Sequence, residues 1–256
     1  MRAYLAFTKK EFCEVTRTYK LLIMACVFLV LGLMNPITAK IIPQMMDSLL
    51  PEGMKIVIPE PTAADSWAQF YKNVPQMGLI VLVIVFSGIL ANEFSRGTLV
   101  NMLTKGLSRS IVILSKFTMM VSVWTASYIL CFGVSYAYTA YFWSGDGISP
   151  LHVIFSVSCL WLFGILLLAS MLFGGVLFKS NYGCMLFTGG FVVLLFIVNI
   201  VPKLQAYNPI ALASNNMALI TNGIPVSDFV WPIIVSCAAV AGFIIAAVAM
   251  FNKKQI

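Results

Sequence analysis

Charge is what this chain has least of. Only 10% of its 256 residues are Asp, Glu, Lys or Arg, against about a quarter in a soluble domain. There is one histidine, His152, and the nine acidic residues are scattered. A lone imidazole with no carboxylate near it in sequence supplies neither a His-paired nucleophile nor a metal-ligand set, which argues against protease or metalloenzyme chemistry. No Gly-x-x-x-x-Gly-Lys-Ser/Thr phosphate loop occurs, so the chain does not bind ATP by that route. The six cysteines (Cys13, Cys26, Cys131, Cys159, Cys184, Cys237) contain no C-x-x-C pair, which gives neither a disulfide framework nor a zinc spacing. No catalytic, cofactor-binding or metal-ligating residue is assigned.

What the chain has in excess is apolar sequence. Apolar residues make up 61% of it, and several charge-free stretches reach the roughly 20 residues that cross a bilayer. The expected fold class is an all-α polytopic membrane protein, a single permease-like domain over residues 1–256 with six transmembrane helices. The spans are placed at Leu21–Ile42, Gln76–Asn92, Ile111–Phe142, from after the turn 144–150 to near Phe178, Gly183–Val201 and Pro232–Phe251. Asn35 and Pro36 are expected to kink the first, because proline removes an intrahelical hydrogen bond.

The net charge of +7 is then a matter of loop bias, with no implication of nucleic acid as a partner. Twelve of the 16 Lys and Arg residues fall on the side of the termini, and Lys40, Lys55, Lys72 and Lys203 fall on the other. The positive-inside rule makes both termini cytoplasmic. The N-terminal segment lacks a small-residue cleavage site, so the first span reads as a retained anchor.

Residues 1–20 carry Leu5, Phe12, Val15 and Tyr19 on one side of a helical wheel and Lys10, Glu14 and Arg17 on the other. That is the pattern of an interfacial helix, although an ordinary polar extension stays open. The extracytoplasmic segments are 43–75 and 202–231. Within the first, Ala63–Tyr71 reads as a short surface helix with Trp67, Phe70 and Tyr71 at headgroup level. Within the second, Pro209–Ile220 reads as re-entrant, provided protein covers its backbone.

Close helix packing is expected at Ser170 and Gly174 and at Ala238, Gly242 and Ala246. Ser115, Thr118, Ser122 and Thr125 recur on one face of the third span, as packing hydroxyls or as the lining of a transport path. The interiors of the six spans hold no Asp, Glu, Lys or Arg. An ion-coupled transporter usually buries such groups, so energy is expected to arrive from outside the chain.

The central cytoplasmic loop, 93–116, is the longest cation-rich stretch between spans. It holds a short amphipathic helix with Leu99, Met102 and Leu103 on one face, punctuated by Gly97 and Gly106, and suits a soluble partner. Glu93 is either a local ion pair with Arg96 and Lys116 or a coupling residue. The stretch from Asn92 to Arg109, NEFSRGTLVNMLTKGLSR, and the six-span topology resemble the type-2 ATP-binding-cassette exporter permeases. Glu93, Gly97, Thr98, Leu103, Ser108, Arg109 and Lys116 occupy that pattern, with Leu107 where a proline is common.

The resemblance implies two facing permeases, identical or related, in the bacterial cytoplasmic membrane, with cytosolic ATPase subunits that carry the ATP and magnesium. The loop, including Arg96, Leu99 and Lys105, would be the coupling helix, and residues 1–20 the connecting helix. The implied function is outward movement of a substrate by a chain that is not itself an enzyme; the aromatic, methionine-rich and uncharged interior suits a hydrophobic or amphipathic cargo, such as a peptide, drug or lipid-like molecule. Sodium extrusion by the same architecture and a non-transporting scaffold or sensor are the alternatives. Membrane lipids are further expected partners.

Overall fold

The computed structural model describes residues 2–49, 60–95, 97, 104, 106, 108–144, 148–221 and 223–253. Among them there is no strand, and six helices are long and apolar enough to cross a membrane. The protein is an all-α multi-pass membrane protein. Helix α1 covers Arg2–Arg17 and α2 covers Lys20–Leu49. A tight turn joins them, with Tyr19 in the left-handed region at φ 59°. Then come α3 (Ala63–Asn73), α4 (Leu79–Phe86), α5 (Gly88–Ser95), α6 (Arg109–Phe142), α7 (Pro150–Phe178) and α8 (Asn181–Val198). Three short helices follow, α9 (Pro202–Gln205), α10 (Ala211–Ser214) and α11 (Asn216–Ile220), and α12 (Val230–Lys253) closes the bundle.

Helix α7 is the axis. Two thirds (67%) of its span is buried, against 17% for α8 and 11% for α12, which flank it and turn most of their surface outward. Helices α2 and α6 pack along each other, and α6 also packs on α7. Trp124 makes that last approach specific. A Cβ on Gly164 would lie 2.5 Å from its indole, so only glycine leaves room for the ring. The indole N–H donates to the Trp161 carbonyl at 3.1 Å, and Tyr128 donates to the Val157 carbonyl at 2.9 Å.

Pro36 does not interrupt α2, and the reason lies across the interface. Proline has no N–H to give the carbonyl of Gly32 four residues back. The Ser135 hydroxyl of α6 donates to that carbonyl at 3.0 Å, while Asn35 donates to Ser135 and accepts from Asn73. In a bilayer the freed carbonyl has no water, so a neighbouring helix must satisfy it. The close approach needs Gly32, where a Cβ would stand 2.9 Å from the Cys131 carbonyl.

The second span departs from the sequence expectation. Helix α3 is not a separate surface helix. It joins α4 through a π-turn, Val74–Gly78, and the whole run from Ala63 to Phe94 is one candidate span of 32 residues. Pro75 sits inside that turn, where the widened hydrogen-bonding pattern accommodates its missing N–H. Trp67, Phe70 and Tyr71 are buried within the protein. They pack on Tyr128, Phe132 and Tyr136 of α6, and Ser66 bonds Thr139 at 2.6 Å.

The small-residue faces divide. Gly174 abuts Phe187 of α8 and Ser170 is fully buried, as expected. Ala238 and Gly242 instead face outward, and a Cβ on Gly242 would meet nothing within 4 Å among the described residues, while Ala246 is half-buried. In the outer segment Asn208 and Asn216 are buried. Asn208 donates to the Leu195 carbonyl at 2.8 Å and accepts from the Ile210 N–H, and Asn216 donates to the Leu212 carbonyl at 2.8 Å. Side-chain amides thus satisfy backbone groups where the helices are too short to do so.

The Trp124–Gly164 contact yields the first prediction. Gly164→Leu overpacks the α6–α7 seam and should cost on the order of 1–3 kcal/mol. Gly242→Leu, on the open stripe, should leave the unfolding midpoint in detergent close to wild type.

Candidate functional site

The end of the bundle that carries both termini holds a buried ion network. It starts from α1. Phe7, Glu11 and Val15 recur every four residues and form the face of α1 laid against the protein, whereas Leu5 and Phe12 are exposed. Val15 was expected on the lipid side. Tyr19, grouped with that face from sequence, lies beyond α1 in the turn. The Tyr4 hydroxyl adds a 2.7 Å bond to Thr118 of α6.

Glu11 is 2% exposed and Lys116 1%. The Lys116 ammonium donates to Glu11 Oε2 at 2.9 Å and stands 3.0 Å from Glu93 Oε1. Lys10 bridges Glu11 Oε1 at 3.0 Å, Glu93 Oε1 at 3.2 Å and Glu14 Oε2 at 2.6 Å. Three elements therefore meet at one cluster: α1, the inner end of α5 and the first turns of α6. The three carboxylates lie within 4.8 Å of one another, close enough to share a cation, and the two lysine ammonium groups already bridge them.

Lys116, read from sequence both as the end of the loop and as part of the third span, lies in α6, which begins at Arg109; it stands seven residues, about 10 Å, inside the helix. Charge is thus present within the inner part of a span, held there by two carboxylates. The Glu93 pairing with Lys116 is observed. Arg96 lies outside the described residues, as do Thr98, Leu99, Leu103 and Lys105, with the amphipathic helix read over them.

Several described loop residues have a structural task. Gly97 and Gly106 adopt φ of 65° and 86°, the left-handed region that favours glycine. Ser108 is the N-cap of α6 and accepts from the Ile111 N–H. Arg109 donates to the carbonyls of Phe251 at 2.7 Å and Asn252 at 3.2 Å, satisfying orphan groups at the end of α12. Phe94 stacks edge-on against Phe251, and Lys179 lies over Phe94. Both stems of the loop are therefore fastened, one through Glu93 and Phe94, the other through Ser108, Arg109 and Lys116.

The hydroxyl stripe of α6 does not converge on one cavity. Ser115 is fully buried, Thr118 bonds Tyr4, Ser122 faces outward and bonds its own helix, and Thr125 accepts from the Trp161 indole at 2.9 Å. These are packing roles. A groove of about 500 Å³ lies elsewhere, between α3–α4 on one side and α8 on the other, with α7 as its floor and Ile210–Ser214 at its outer end. Its wall is almost wholly apolar, and sequence reasoning missed it. Glu11 and Lys10 were missed as well, although a carboxylate midway between Phe7 and Val15 on one helical face was the available signal.

No family model matches the chain. It is similar to a curated protein of Bacillus subtilis (strain 168), the uncharacterized transmembrane protein YxlG, with 22% identity over 182 residues that cover 70% of each chain. The likeness agrees with the membrane-spanning fold.

Two predictions follow from the cluster. Lys116→Met leaves Glu11 and Glu93 buried without their main counter-ion, which should cost about 3–5 kcal/mol in detergent unfolding; adding Glu11→Gln and Glu93→Gln should restore most of it. The second concerns pH. Burial disfavours the charged form of Glu14, but its hydrogen bond from Lys10 and the nearby lysine charges outweigh this and hold its pKa below the ordinary 4.5. Burial likewise opposes the Lys10 ammonium, and Glu14, Glu11 and Glu93 outweigh it, holding that group above its ordinary 10.5.

The Glu14 contribution is complete above 4.5 and lost as pH falls through the lowered value. The Lys10 contribution is complete below 10.5 and lost as pH rises through the raised value. A spin label at the exposed Cys13 should stay immobile near neutral pH and gain mobility at both extremes, and Glu14→Gln should remove the acid-side change.

Proposed function

We propose that this protein is the membrane-spanning permease subunit of an ATP-driven exporter in a bacterial cytoplasmic membrane, working with a cytosolic ATPase and a second permease copy. The observation that carries this is the buried cluster of Glu11, Lys116, Glu93 and Lys10. It ties an amphipathic helix and both stems of the central loop into one rigid piece at the end of the bundle that the charge bias assigns to the cytoplasm. A force applied to that loop is passed directly to α1, α5 and α6 instead of being absorbed by flexing stems. Work done by an ATPase beneath the membrane needs such a stiff input.

Two further features support it. The middles of the six spans hold no Asp, Glu, Lys or Arg, so an external energy source fits. The apolar groove between α4 and α8 suits a hydrophobic or amphipathic cargo. The Asn92–Arg109 pattern adds the family resemblance, with Arg96, Thr98, Leu99, Leu103 and Lys105 as the surface presented to the ATPase and Glu93 and Lys116 as its anchor. In this reading the chain performs no covalent chemistry, and ATP and magnesium stay on the partner.

Purification from native membranes in mild detergent tests this. The expected result is a co-purifying protein with a phosphate loop, at about one copy per permease, together with ATP hydrolysis, both lost in Leu103→Glu. A chain that purifies alone and without ATPase activity would overturn the exporter and favour a scaffold or an ion carrier.

A further inference from the structure

The wall of the groove is graded along its length. On the α3–α4 side Lys72, Gln76, Ile80 and Ile84 follow one another at four-residue spacing, all lining it. They run from a cation through an amide to two aliphatic side chains over about 18 Å of helix. Lys72 stands 21 residues, about 30 Å, from Glu93 along the same span, so it lies at the opposite membrane face from the ion network.

Lys72 is exposed, and among the described residues it makes no ion pair and no carboxylate lines the groove. Gly189 of α8 forms part of the facing wall, where a Cβ would meet nothing within 4 Å. A slot of this kind, apolar for most of its length and cationic at one end, is complementary to a molecule with an acyl chain and a negative head.

We propose that the groove binds an anionic amphiphile, with its acyl chain along Ile80 and Ile84 and its head group against Lys72. This deepens the exporter reading by naming the class of cargo and rests on it, but the binding step needs no ATPase. A neutral or zwitterionic lipid would fill the same apolar slot without using Lys72. A second copy of the chain would cover the slot and exclude both.

The test uses the full chain alone in phosphatidylcholine nanodiscs. Photoactivatable palmitoyl lysophosphatidylglycerol and palmitoyl lysophosphatidylcholine are supplied in equal amounts, and the labelled peptides are identified by mass spectrometry. The expected result is labelling of 79–84 and 185–196 with the anionic probe favoured about fivefold, the preference one lysine near a lipid surface supplies. Lys72→Gln should equalise the probes and Lys72→Arg should keep the preference. Gly189→Trp, which fills the slot, should abolish labelling by both.

Equal labelling of the wild type by the two probes would overturn the proposal, as would labelling that Gly189→Trp leaves unchanged. So would protection of the groove from both probes, which would mark it as a covered interface. Because no ATPase is present, any of these results removes the cargo assignment and leaves the exporter reading to its own co-purification test.

Discussion

A lysine ammonium that is 1% exposed and about 10 Å inside a membrane-spanning helix is the constraint on which the inner half of this protein depends. An unpaired charge there is prohibitive, and the chain resolves it by bringing carboxylates from two other elements to Lys116. Glu11 has to come from α1, which requires that helix to lie across the bundle with its Phe7–Val15 face inward. Glu93 has to come from α5, which fixes where the second span ends. One buried charge thus determines the position of a peripheral helix and the geometry of both loop stems.

The outer half answers a different demand, that every backbone polar group find a partner without water. Ser135 meets the carbonyl that Pro36 frees, and Asn208 and Asn216 hold short helices that lack enough bonds of their own. Around these points glycine is placed where an indole or a neighbouring carbonyl needs the space, at Gly164 and Gly32. Polar bonding and close approach are therefore coupled: each glycine lets two helices come near enough for a hydroxyl or an indole to reach across.

Much of the architecture was legible in the sequence because hydrophobic length is a direct readout of bilayer crossing. The fourth span ends at Phe178 as expected, and the third begins only two residues early. The second does not agree, since the aromatics of 63–71 read as an interfacial surface helix while in the structure they pack inward. Helical periodicity displays which residues share a face but not which neighbour that face meets. For the same reason the Ser115–Thr125 stripe was visible while its separate partners, Tyr4 and Trp161, were not. Lys116 was recognised as significant, but its carboxylate from α1 is a contact 105 residues distant in sequence, and no local pattern encodes it.

The π-turn at Val74–Gly78 has a consequence for how this chain can vary. It sets the rotational phase between the outer half of the second span, keyed to α6 by Trp67 and Phe70, and the inner half that ends in Glu93. Losing or gaining one residue within it would turn everything downstream by about 100°. Glu93 would then swing away from Lys116 while the aromatic key stayed in place. The turn works as an indexing joint: point substitutions within it are absorbed locally, whereas a change of length there unlocks a charge some 20 Å away at the other side of the membrane.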